Sequence, residues 1–178
     1  MVVLTLILIP VPQPVQFIGF APVLIFFMGI MLKPARAFAV CSIGSVIGQL
    51  IASIMLGDYA TLPAYLLGAL VARGFQGLLI SVMEKAFVRG KALEPRVVLA
   101  REALLLLAGG AWEVAGYYSV GGPYFLLTAG IPLDVSFLWY LPVFIDLVFV
   151  PVALGVVVAA RSSFQRQYLD QLLFRDAE

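Results

Sequence analysis

Apolar positions run on along most of this chain, without the alternation of a half-buried strand or the spacing of a helix with one wet face. Clusters of proline, glycine and charge interrupt them and leave one short and five long apolar segments. The first, residues 1–9, has no basic leader region or small-residue cleavage site. It is closed by Pro10, Pro12 and Pro14, whose missing amide donors and restricted dihedrals stop a helix. The long segments cover about 15–32, 37–56, 62–83, 97–120 and 135–160. Each is roughly 18 residues or more, enough at ~1.5 Å per residue to cross a ~30 Å hydrocarbon layer. Residues 1–9 cover about half of it, so this segment is expected to be a half-helix or, the preferred reading, the end of a helix completed upstream. The predicted fold is all-α: an integral membrane bundle of six transmembrane helices over residues 1–160, with a cytoplasmic amphipathic tail over 161–178.

Composition agrees. With 63% hydrophobic and 12% charged residues and a mean hydropathy of +1.08, the chain holds more apolar surface than a soluble domain of this size hides. Lacking histidine, it cannot assemble serine–histidine or cysteine–histidine catalysis or an HExxH metal site. A lone cysteine, Cys41, excludes an internal disulfide. Charge is segregated: Lys33 and Arg36 follow the second segment, Lys85, Arg89, Lys91, Arg96 and Arg101 lie around the fourth connection, and Arg161, Arg166 and Arg175 occupy the tail. Ten of the eleven basic residues therefore fall on alternate connections, and the preference of such loops for the cytoplasm predicts a multi-pass cell-membrane protein with both termini inside.

The exception, Arg73, lies within a span, as do Glu113 and Asp146. At about 2.5–3.5 kcal/mol each at a helix centre, such residues need a reason. Alternating helix directions bring all three to one layer in the outer half of the bundle, as an outward-facing binding pocket requires; mutual neutralisation of buried charge is the competing reading. Gln49 joins them as a candidate ligand group, on a helical face shared with Ser42, Ser45 and Ser53. Tyr117, one turn from Glu113, and the adjoining Trp112 add hydrogen bonding and stacking. Gly44, Gly48 and Ala52 form a small-residue stripe suited to helix packing or partner docking. Tyr118, Tyr124 and Trp139 suit an interfacial aromatic belt, and Phe164, Tyr168 and Leu172 an interfacial tail helix. No P-loop, GxGxxG or metal-ligand spacing occurs. The basic connection also contains Glu84 and Glu94 and is accounted for by orientation, so no nucleic-acid partner is expected.

Several stretches together resemble the substrate-binding S-component of energy-coupling factor (ECF) transporters: IPVPQPV at 9–15, MLKPARA at 31–37, SIGSVIGQLI at 42–51, LPAYLLGALVARGFQGLL at 62–79, GGAWEVAGYY at 109–118 and LPVFIDLVFVPVALGVVV at 141–158. The resemblance implies capture of a vitamin-like solute in an outward-facing cavity, and association with a transmembrane coupling subunit and two ABC ATPases that supply the energy. The chain itself would be no enzyme and carry no cofactor. The Ala-xxx-Ala docking motif common in the family's first helix is missing from residues 1–9. The alternative is a membrane scaffold resembling the rod-shape protein MreD.

Overall fold

A computed structural model describes residues 8–10, 17–56, 59, 62–140 and 146–163. Strands β1 (Leu8–Pro10) and β2 (Phe17–Gly19) pair antiparallel, Leu8 opposite Gly19 and Pro10 opposite Phe17. This ribbon corrects the helix expected at the end of residues 1–9 and the start of 15–32; residues 1–7 lie outside the described residues. Pairing decides it: β-branched Ile9 and Ile18, residue types that favour extended backbone, stand opposite each other, and Pro10 sits at a strand end.

Beyond the ribbon the described secondary structure is helical. Helix α1 (Ala21–Met31) has a proline in its first turn, where an absent amide costs no intrahelical bond. Only 11 residues long, it is shorter than the segment predicted. Helix α2 (Pro34–Leu56) follows in the expected tight hairpin. Helix α3 (Leu62–Phe87) is continuous but contains a π-helical turn at Ala69–Arg73. Helix α4 (Pro95–Ala129) has 35 residues, about 50 Å at 1.5 Å per residue. It stops where Gly130 takes φ +65° and donates its amide to the carbonyls of Leu126 and Phe125.

The last predicted span, 135–160, is not one helix. Its described parts are α5 (Leu133–Tyr140), a 3₁₀ turn at 146–148 and α6 (Phe149–Ser163). Pro151 falls in the first turn of α6, where it suits a fresh start better than the middle of a through-running helix. Helix α6 also runs past residue 160, where the tail was expected to begin, and residues 164–178 with the predicted tail pattern lie outside the described residues. Two helices, Pro34–Met55 and Leu62–Phe87, are long and apolar enough to cross a membrane.

Helix α3 is central and packs on α1, α2 and α4, while α6 packs on α1 and α4, and α5 on α4. Helices α3 and α4 run antiparallel at very close range: a Cβ on Gly116 would stand 2.8 Å from the Cα of Ala72. Two apolar clusters result. One joins Phe26 and Ile30 of α1, Ile80 of α3, Leu106 of α4 and Phe149, Ala153 and Val157 of α6. The other joins Ala64, Ala72, Tyr117 and Phe125, with Tyr65, Tyr118 and Tyr124 packed against it. Tyr118 and Tyr124, expected at an interface, thus also serve in packing; the side chain of Trp139 is outside the described set.

Candidate functional site

Between the two apolar clusters lies a polar layer built around the irregular turn of α3. A π turn widens the backbone ladder and frees carbonyls that a regular helix would bond. Side chains of neighbouring helices reach carbonyls of this turn: Ser42 Oγ of α2 donates to the Leu70 carbonyl at 3.1 Å, and Trp112 Nε1 of α4 to that of Ala72 at 3.2 Å. Arg73 is the last residue of the turn.

Arg73 Nε donates to Glu113 Oε1 at 3.0 Å, and Gln76 Nε2 donates to Glu113 Oε2 at 2.9 Å. Both oxygens of a fully buried carboxylate are therefore engaged, which is how a buried charge is tolerated. The Arg73 side chain retains 13% exposure, and its guanidinium carbon lies 5.7 Å from the centre of the Tyr117 ring, within cation–π range. Asp146, in the 3₁₀ turn before α6, interacts electrostatically with both Glu113 and Arg73. The side chain of the adjacent Leu147 packs over Gly110, one turn from Glu113.

Arg73, Glu113, Asp146 and Tyr117 are thus brought together. Trp112 is not part of the polar cluster: it is 38% exposed and supports the π turn from outside, in an aromatic row with Phe75 and Phe38. Gln49 is half-buried on α2 and makes no hydrogen bond to the cluster among the described residues. In the small-residue stripe, Gly48 and Ala52 are buried, whereas Gly44 borders a shallow apolar groove with Met28, Ala39, Val40 and Ile43. A tight approach of α2 to α3 lies elsewhere: a Cβ on Gly77 would stand 2.7 Å from Cys41 Sγ.

Sequence reasoning missed Gln76, and it missed a second ionic cluster. Arg161 of α6 bridges two buried carboxylates, bonding Glu84 Oε1 of α3 through Nη2 at 3.1 Å and Glu102 Oε1 of α4 through Nη1. Around it, Arg89 donates to the Ile30 carbonyl at 2.7 Å and Ser81 to that of Leu32 at 2.6 Å. Charges counted only for orientation therefore also tie helices together. A signal for both clusters was present. Two antiparallel helices joined by a short connection face each other at equal distances from it, and the midpoint of Arg73 with Glu113, like that of Glu84 with Glu102, falls at residue 93.

Among the described residues, no group of three or more His, Cys, Asp or Glu side chains is placed to hold a metal ion. What the Arg73 layer offers instead is a set of fixed charges and hydrogen-bonding atoms in apolar surroundings, suited to orienting a small polar molecule. No protein-family model, curated protein or solved structure matches this chain.

Proposed function

We propose that this chain is a multi-pass membrane protein that holds a small solute at the Arg73–Gln76–Glu113–Tyr117–Asp146 layer, acting as the solute-binding subunit of an ECF-type uptake system. The observation that carries the reading is the meeting of these residues at two backbone irregularities, the π turn of α3 and the 3₁₀ turn before α6. Irregular backbone at membrane depth is tolerated where it is buried in protein or lines a cavity, and broken helices supply the ligand groups of many transporters. Membrane residence is supported by the outer faces. The apolar windows of Pro34–Met55 and Leu62–Phe87 are only 33% and 44% buried, unlike core helices of a soluble domain. Ile43, Ile54 and Met55 of α2 stand 59%, 53% and 72% exposed, as lipid-facing side chains do.

On this reading the bundle has six spans, the basic connections and both termini are cytoplasmic, and transport energy comes from a coupling subunit and two ABC ATPases. Purification in lipid nanodiscs followed by native mass spectrometry tests it. A bound small molecule, absent from a Glu113→Ala variant that still folds, is the expected result, together with co-purification of an ATPase pair. Recovery with cell-wall morphogenesis proteins, and no small molecule in any preparation, would favour the MreD-like scaffold.

A further inference from the structure

The connection between α3 and α4 holds cations that the fold leaves uncompensated. It turns at Gly90, where φ is +74°, a value that suits glycine, and the Lys91 amide donates to the Val88 carbonyl at 3.3 Å. The turn carries the Lys91 ammonium back over the ring of Phe87, 5.8 Å from its centre. Arg101, in the second turn of α4, reaches the same residue, its Nη1 donating to the Phe87 carbonyl at 2.6 Å. Two cations are thus gathered at one aromatic side chain. Arg73 and Arg161 are paired with carboxylates, whereas no ion pair joins Lys91 or Arg101 to one among the described residues. Glu94, the one acid in the connection, is exposed and pairs with neither.

The surface beside these cations is apolar. Phe87 is exposed, and so are Val97 and Leu104, which share a face of α4 with Arg101. Leu104 lies one turn nearer than Arg101 to the Glu113 layer, so charge stands at the end of the bundle and apolar surface runs inward from it. That order fits an amphiphile with an anionic group at the cations and hydrocarbon along Phe87 and Leu104. A water-soluble anion would leave the apolar strip uncovered, and a lipid without net charge would leave the cations uncompensated. Resting on the membrane residence proposed above, and independent of solute binding, we infer that Phe87, Lys91, Arg101 and Leu104 seat a phospholipid with an anionic headgroup, its phosphate at the two cations and an acyl chain along the Phe87 ring and Leu104.

The full chain in detergent, mixed with equal amounts of phosphatidylglycerol and phosphatidylcholine of the same acyl chains, tests this by native mass spectrometry of the lipids retained. The wild type is expected to hold phosphatidylglycerol at least about tenfold more tightly. Lys91→Gln/Arg101→Gln should lose most of that preference, whereas Lys85→Gln/Arg96→Gln, which removes as many cations from exposed positions nearby, should keep it. Equal retention of both lipids by the wild type would overturn the inference, and so would a preference that survives in Lys91→Gln/Arg101→Gln. Equal loss in the two double variants would also overturn it, by showing a diffuse basic surface in place of a seat. Thermal stabilisation by inorganic phosphate that matches stabilisation by phosphatidylglycerol would overturn the lipid as occupant. The wild-type comparison needs no variant, and Lys91→Gln alone serves if Arg101→Gln fails to fold. A solute at the Arg73 layer is read at its own mass in the same spectra, so the two readings fail separately; a chain that stays in solution without detergent would overturn membrane residence and the lipid seat with it.

Discussion

Glu113 has three jobs that its position in the sequence does not separate: it neutralises Arg73, fixes the Gln76 amide and borders Asp146. Removing its charge leaves the largely buried Arg73 guanidinium without its hydrogen-bonded counter-charge, and breaking a buried pair in this way costs about 3–5 kcal/mol. Glu113→Gln should therefore lower the free energy of unfolding measured in mixed micelles by that amount. The double variant Arg73→Met/Glu113→Leu should lose less than Glu113→Gln alone, because it removes both charges. A double variant at least as unstable as the single one would show that the pair is not held together by charge compensation. At this scale the sequence was informative because ionic groups inside apolar segments are so costly that Arg73, Glu113 and Asp146 could be singled out individually. Gln76 escaped because an amide in a helix carries no such cost on its face; only the depth match with Glu113 identifies it.

The elements show where such reasoning stops. Positions of α2, α3 and α4 follow from apolar run length, and their observed bounds lie within a few residues of expectation apart from the longer C-terminal end of α4. The π turn and the 3₁₀ turn left no signal, since neither requires a proline or glycine and both depend on what neighbouring helices donate to the freed carbonyls. The ribbon was hidden for a related reason: nine apolar residues fit half a helix or a strand equally well until a pairing partner is known. Close approach is equally a property of pairs. Gly116 matters because Ala72 lies against it, and that contact holds Tyr117 and Glu113 on one side of α4 near Arg73 on α3. Gly116→Ala adds a methyl group facing backbone, which cannot swing aside as a flexible side chain would. The expected loss is about 1–3 kcal/mol, the range for overpacking, accompanied, on the solute-binding reading, by weaker binding as Arg73 and Glu113 are pushed apart. An unfolding midpoint and affinity both equal to the wild type would show that the helices pass with more room than 2.8 Å implies.

Across the whole molecule the two ionic clusters sit at different levels of the same pair of helices, with the Ile80–Leu106 apolar cluster between them. The first joins α3, α4 and the turn before α6; the second joins α3, α4 and the end of α6 through Arg161. Helix α6 is thereby tied to α3 and α4 through Arg161 near its C-terminal end, while Phe149 and Val150 at its start pack in the apolar cluster. Arg161→Met would leave Glu84 and Glu102 buried and facing each other without their shared counter-charge. The arginine is itself 27% exposed, so some of its interaction is screened by solvent, and the expected destabilisation is about 3 kcal/mol, the lower end for breaking a buried ionic contact. Adding Glu102→Gln should restore part of this, since it relieves the repulsion with Glu84; Lys85→Met, at an exposed site on the same helix, should change little. On the solute-binding reading, Arg161→Met should also weaken retention of the solute at the Arg73 layer, since α6 follows directly on the turn that holds Asp146. Loss of stability with the bound solute still retained in native mass spectra would confine the Arg161 cluster to holding the helices together, and would leave the contact of Leu147 with Gly110 as what seats the turn before α6.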